Sequence, residues 1–421
     1  MIIGIIDRIK SDKHLKQTSA LFIWNIVGLP INLTINFFMT RYLGAEAYGN
    51  YSYVARLFNL VFILVNFGLF RSVGRAVLLS NDEHKIREYY GTGLVIMLAV
   101  GLFTITLLYP YALLSNNIEE KGIRNVLLLA IPFCFAEFFN KYNEQILPSS
   151  NKISLLITQR YAPRILLLVT IVLLFFFKEA SGDRLIVCIS ALYGIQLLIY
   201  GYVGIRLRPL LSNRGERFRE IRTINHSYGM QVYIGDLFSN VFTAAMPLLI
   251  SLFCINNAEV GFYSLALMLC APMNFIPSAI MTSHYKKFST YREIPNKVFY
   301  LTIFSSAGCL VILWLIIGPF VKLFYTPEYN PVILITVVTS IGTFLFGLSD
   351  FVTRYLSSQG DGVALRNSSI IVGFSTLVSS LLLISQYAAM GAAITHVLTS
   401  IIYVIVILLY YRKRVKINKS N

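Results

Sequence analysis

The sequence predicts an all-α polytopic membrane protein, with twelve transmembrane helices arranged as two pseudo-symmetric six-helix lobes. Three observations carry that expectation. The 421-residue chain is 56% hydrophobic and only 13% charged, roughly half the charged share of an average soluble domain. Apolar runs of about twenty residues recur from end to end, the length that crosses about 30 Å of hydrocarbon. Such runs must satisfy their own backbone polar groups in lipid, so they are helices. The third observation is a repeat. Glu46-x-x-Gly49-x-Tyr51-Ser52 is answered by Glu259-x-Gly261-x-Tyr263-Ser264, with Gly49 and Gly261 separated by 212 positions, about half the chain. Internal symmetry of spanning helices is a common plan for secondary transporters.

Residues 2–17 mix Ile2, Ile3, Ile5, Ile6 and Ile9 with Asp7, Arg8, Lys10, Lys13 and Lys16. That pattern reads as a short interfacial helix rather than a cleavable leader. Spans are expected at 18–40, 48–70, 91–114, 123–147, 155–177, 184–206, 228–253, 259–283, 297–323, 331–355, 367–385 and 390–411. Pro30, Pro132, Pro163, Pro247, Pro272, Pro277 and Pro319 fall within them or near their ends. A proline removes one intrahelical hydrogen bond, so kinks are expected there.

Lys and Arg set the orientation. With a cytoplasmic N-terminus, 29 of the 36 basic residues lie on the cytoplasmic side and seven on the other. The positive-inside rule therefore puts both termini in the cytoplasm. The net charge of +16 follows from this topology, and no nucleic-acid partner is expected. The longest connection, 207–227, contains Arg208-Pro209 and Asn213-Arg214-Gly215 and reads as a cytoplasmic linker. The resulting division is an N-terminal lobe at 1–206 and a C-terminal lobe at 228–421. A second echo, Asn143–Lys152 against Thr353–Asp361, recurs at nearly the same offset.

Catalytic signatures are absent from the sequence. Gly91-Thr92-Gly93 lacks the third glycine and preceding strand of a dinucleotide site, and no P-loop is present. His14, His84, His226, His284 and His396 have no paired metal-ligand spacing, and Cys134, Cys188, Cys254, Cys270 and Cys309 form no Cys-x-x-Cys. No cofactor and no metal are expected. The short outer connections leave little room for an enzyme's substrate-holding loop, so a transporter is favoured over a polymerase or ligase.

Polar residues inside spans are the candidate site, because a mid-membrane charge costs about 2.5–3.5 kcal/mol on insertion scales and tends to face a cavity or partner. Arg56, Asn59 and Asn66 share one face of the second span, and Asn25, Asn32 and Asn36 form a stripe on the first. Interhelical hydrogen bonding without any substrate is the alternative reading of both stripes. Arg71 and Arg75, and likewise Arg160 and Arg164, are i,i+4 pairs whose guanidinium forks suit phosphate oxygens. Positive-inside anchoring and salt bridges with Glu137, Lys141 and Glu144 explain these equally well. Asp236, Glu137 and Asp350 are candidate coupling-ion residues, with structural hydrogen bonding as the rival role. Tyr51, Tyr53, Tyr228 and Tyr233 fit either sugar stacking or an aromatic belt.

Arg41-Tyr42-Leu43-Gly44-x-Glu46-x-Tyr48-Gly49-x-Tyr51-Ser52, followed by a span ending Asn66-Phe67-Gly68-Leu69, resembles the Wzx-type polysaccharide-unit flippases. These belong to the multidrug/oligosaccharidyl-lipid/polysaccharide exporter superfamily. The resemblance covers the whole chain in span number, length and division, and its sharp motif is residues 41–69. It implies two six-helix lobes around a central cavity. It further implies transfer of an undecaprenyl-diphosphate-linked oligosaccharide, such as an O-antigen unit, across the bacterial inner membrane. Membrane lipid, a polysaccharide polymerase and the chain-length machinery of lipopolysaccharide biosynthesis are the partners it implies. Arg56, Arg71, Arg75, Asn25, Asn32, Asn36, Asn59 and Asn66 would then contact the substrate. A multidrug or cation antiporter of the same superfamily is the rival, and a membrane polymerase or ligase, or a structural partner of the assembly machinery, stands behind it.

Overall fold

The computed structural model describes residues 13–177, 183–275, 277–278, 280–281, 288, 291–359 and 361–420. The expected interfacial segment before residue 13 and the side chains of Asn25 and Asp236 lie outside the described residues. The described residues are helical, with no strand among them. Contacts group the chain into two compact units, Met1–Gly44 with Val61–Ile234, and Ala45–Leu60 with Gly235–Asn421.

The first unit contains α1 (Lys13–Leu43), the end of α2 (Ala45–Val65), α3 (Leu69–Leu79), α4 (Glu83–Leu114), α5 (Asn116–Glu120), α6 (Arg124–Ala130) and α7 (Phe135–Ser149). It continues with α8 (Ile153–Phe177), α9 (Arg184–Leu207), α10 (Arg214–Ile224) and the start of α11 (Met230–Phe253). The second unit holds the first part of α2, the rest of α11, α12 (Ala258–Cys270), α13 (Asn296–Phe324), α14 (Pro331–Ser358) and α15 (Gly362–Ser420). Six described helices are long and apolar enough to cross a membrane alone, and α2 with α3 adds a seventh if the bent pair is one span.

The span expected at 48–70 is divided between two helices meeting at 65°. Asn66 ends α2, and its Oδ1 accepts a hydrogen bond from the Gly68 N–H at 2.9 Å. Gly68 adopts φ +72°, and a Cβ there would lie 2.2 Å from the Gly229 carbonyl oxygen. Only glycine fits both demands. Hydropathy could not show this break, because Phe67 and Leu69 on either side of Gly68 are apolar. The expected span at 123–147 is also interrupted. A 3₁₀ turn at Ile131–Cys134 carries Pro132, whose missing N–H prevents regular α-helical bonding there.

Within the stretch 207–227, expected as a linker, Arg214–Ile224 forms a docked helix. Arg208 at φ 51° turns the chain off α9, and the Leu210 N–H donates to the Arg87 carbonyl at 2.9 Å. Gly91 permits the approach, since a Cβ there would sit 1.9 Å from the Leu210 oxygen. Helix α10 is then held by Arg217, which pairs with Glu88 at 3.1 Å and Glu220 at 2.7 Å. Ser212 and Asn213 donate to the same Glu88 carboxylate at 2.9 and 2.8 Å, and Lys85 donates to Glu220 at 3.0 Å. Burial pushes the Glu220 pKa up, but hydrogen bonds from Tyr89 and Lys85 and the Arg217 charge outweigh it and hold the carboxyl below its usual value.

Inside hydrocarbon, helices gain no hydrophobic drive from one another and rely on close packing and hydrogen bonds. The first unit illustrates this where the Tyr142 hydroxyl donates to the Tyr90 carbonyl at 2.7 Å, with Phe70 and Phe138 packed beside it. In the second unit, Phe288, Phe351 and Tyr355 form an edge-to-face cluster. It is fastened where Tyr355 donates to the Arg292 carbonyl at 2.8 Å. Helix α15 breaks at Ala388 (φ 50°, ψ −127°), between the spans expected at 367–385 and 390–411. A Cβ on Gly391 would lie 2.1 Å from the Leu383 oxygen, so the chain doubles back tightly there.

Candidate functional site

The two copies of the repeated motif meet inside the second unit. A Cβ on Gly49 would lie 1.7 Å from the Asn257 carbonyl oxygen, and one on Gly261 would lie 3.2 Å from the Gly49 backbone. Helices α2 and α12 therefore cross backbone against backbone, which small residues make possible. The Asn257 amide donates to Asn50 Oδ1 at 2.8 Å and accepts from Ser251 Oγ at 2.7 Å, all three groups being buried. Glu259 of the second copy accepts the Ala389 N–H at 3.2 Å, tying α12 to the break in α15. Tyr48 packs edge-on against Tyr329.

Arg56 lies seven residues beyond Gly49, two helical turns along and on nearly the same face. That face is the one that meets α12 at the glycine crossing. Arg56 is half-buried and makes no ion pair among the described residues. Asn59, also half-buried, follows on the same segment. Arg56 is thus a guanidinium without an ion pair among the described residues, on the same side of its helix as the glycine crossing.

The other sequence-predicted residues are distributed over both units. In the first, Asn36 Nδ2 donates to the Asn32 carbonyl at 2.8 Å, so part of that stripe bonds along its own helix. Asn66 caps α2 at the bend, as described above. Arg71 is half-buried on α3, while the exposed Arg75 guanidinium lies 5.6 Å from the Tyr228 ring centre. Glu137 joins a ladder in which Lys141 reaches Glu137 at 3.7 Å and Glu144 at 3.6 Å, and Arg160 reaches Glu144 at 3.7 Å. In the second unit, Asp350 pairs with Arg354 at 3.7 Å. The described residues contain no group of three metal-ligating side chains, and their cysteines are free thiols.

Sequence reasoning did not single out Asn50 and Asn257. Their signal was position: each lies beside or one turn from the glycine of its motif copy. Arg217 and Glu88 were also missed, because α10 is so rich in charge that it resembled solvated linker.

Residues 14–291 match the family described as polysaccharide biosynthesis protein. The chain belongs to that family. It is 20% identical over 408 residues to the capsular polysaccharide biosynthesis protein CapF of Staphylococcus aureus, covering 94% of this chain and 99% of CapF. Among solved structures it is similar to the lipid II flippase MurJ in an inward closed conformation. That match has a TM-score of 0.72 at 14% identity, over 94% of this chain and 87% of the other. An inward-facing MATE multidrug transporter aligns with a TM-score of 0.65 at 13% identity, over 93% and 95% of the two chains. At these identities the structural matches establish a shared fold. This polysaccharide biosynthesis family member is therefore a multi-pass membrane protein with the helical architecture of those transporters.

Proposed function

We propose that the protein is a flippase for an undecaprenyl-diphosphate-linked oligosaccharide repeat unit, an O-antigen or similar surface polysaccharide precursor. It carries the unit from the cytoplasmic to the periplasmic leaflet of the bacterial inner membrane by alternating access. The single observation that carries this reading is Arg56: a half-buried guanidinium without an ion pair among the described residues, two turns beyond the Gly49–Asn257 crossing, in a member of a polysaccharide biosynthesis family. A guanidinium in that situation has its donor fork available to a phosphate.

In this reading the chain has twelve spans, cytoplasmic termini, and repeat halves at 1–206 and 228–421 joined by 207–227. Arg56, with Arg71 and Arg75, attracts the diphosphate. Asn32, Asn36 and Asn59 hydrogen-bond sugar hydroxyls, with Asn25 and Asn66 completing the polar set. The polyprenyl tail stays in lipid. Outward movement of each negative charge gains about 2.3 kcal/mol per 100 mV of membrane potential. Asp236, Glu137 and Asp350 are the candidates for a returning ion. The MATE fold match supports a second reading, a cation antiporter, whose cavity would favour carboxylates over an unpaired arginine.

A strain lacking the chain separates the readings. Single lipid-linked units trapped on the cytoplasmic leaflet are the expected result. Accumulation on the outer leaflet would point to a polymerase, and drug sensitivity with normal polysaccharide would point to the antiporter.

A further inference from the structure

The first unit contains a polar cavity of about 290 Å³ at the junction of α7, α8 and α9, lined among others by Asn140, Glu144, Arg160, Arg164, Gln196 and Tyr200. Its size is at the lower end of small-molecule sites. Glu144 brings negative charge, but Arg160 and Lys141 both pair with it. Arg164 has no such counterpart. It makes no ion pair among the described residues, and its guanidinium rests 5.4 Å from the Tyr161 ring centre. The side chains of Gln196 and Tyr200 likewise make no hydrogen bond among the described residues. A guanidinium, an amide and a phenol thus turn uncommitted donors toward one small space.

The arginine is held in place from behind. Tyr161 stacks on Trp24 of α1 with ring centres 5.2 Å apart. Gly28, one turn further along α1, leaves the room this stack occupies: a Cβ there would lie 2.6 Å from Tyr161 Cε1 and 3.5 Å from an Arg164 terminal nitrogen. Helix α1 therefore clamps the tyrosine that carries the guanidinium, which restricts the freedom Arg164 would lose on binding.

We propose that this cavity is an oxyanion-binding site, taking a phosphate or diphosphate group on Arg164 with Gln196 and Tyr200 as supporting donors. Donor excess, one uncompensated positive charge and a preorganised planar fork are the features that phosphate oxygens require. The argument uses the first unit alone and goes beyond the transport reading, which rests on Arg56 in the second unit. The same chemistry is offered by free diphosphate and by the diphosphate head of a polyprenyl lipid.

Trp24 supplies the reporter. In full-length protein carrying Trp314→Phe it is the sole tryptophan, since the chain has two. In nanodiscs, inorganic pyrophosphate is expected to change Trp24 emission saturably. Arg164→Gln should weaken that response roughly tenfold or more, the loss expected for a charge-assisted hydrogen bond. Arg164→Lys should fall between, and Lys322→Gln, an exposed cation of the second unit, should leave it unchanged. Undecaprenyl diphosphate incorporated in the disc serves as the second arm. Displacement of pyrophosphate by the lipid identifies a headgroup site, and its failure to compete identifies a free-anion site. No saturable response to either probe, an unaltered response in Arg164→Gln protein whose melting matches the parent, or equal loss in Lys322→Gln would overturn the proposal. Because no transport is measured, failure here leaves the flippase reading untouched.

Discussion

Gly49→Ala tests whether the repeated motif is a helix crossing. The new methyl would lie 1.7 Å from the Asn257 oxygen, 2.3 Å from its carbonyl carbon and 2.9 Å from the Ala258 nitrogen. All three are backbone atoms, so no rotamer change relieves the clash and the helices must separate. Overpacking of this kind costs about 1–3 kcal/mol. Separation also strains the buried Asn257–Asn50 hydrogen bond at 2.8 Å, worth about 1 kcal/mol net. The expected total is roughly 2–4 kcal/mol. Gly201→Ala is the matched control, since Gly201 lies within α9 and a Cβ there meets nothing within 4 Å. Alanine should gain about 0.5–1 kcal/mol there from helix propensity. Reversible unfolding of the purified protein in mixed micelles reads both changes. If Gly49→Ala unfolds at the same denaturant midpoint as the Gly201→Ala control, the crossing is not where the motif acts.

Other outcomes follow from the same geometry. Arg56→Ala should insert normally yet abolish surface polysaccharide, with partial rescue by Arg56→Lys, scored by polysaccharide display against membrane abundance. Arg217→Ala removes the cation shared by Glu88 and Glu220, so trypsin should cut faster at Arg219 and Arg222, read as fragments on a denaturing gel. The Glu220 pKa is held below the ordinary carboxylate value, so its contribution to α10 docking is complete above that ordinary value. The contribution is lost as pH falls through the lowered folded pKa. Hydrogen exchange in 214–224 should therefore quicken on acidification, and Glu220→Gln should flatten that dependence.

Much of the helical architecture was legible because lipid leaves the backbone few choices. Long apolar runs read directly as helices, and the separation of the last two expected spans coincides with the break at Ala388. Interruptions were less visible. Pro132 announced its own, whereas the bend at Asn66–Gly68 depends on the Gly229 carbonyl, a partner some 160 positions away that no local pattern reveals. The same blindness affected Asn66: a helical wheel put it on a polar stripe with Arg56, while its side chain accepts the Gly68 N–H within the bend. Arg56 itself was legible because a guanidinium is costly in an apolar helix wherever its partners lie. The donors around Arg164 were not, since Gln196 and Tyr200 come from a helix whose polar residues are sparse and whose facing neighbours only the fold supplies.

The meeting of Gly49 with Gly261 makes the two copies of the motif dependent on each other. Here each copy is the mould into which the other is cast, so neither can serve as a spare. A bulkier residue at one of the two glycines cannot be relieved by the intact glycine of the other, because both belong to one contact.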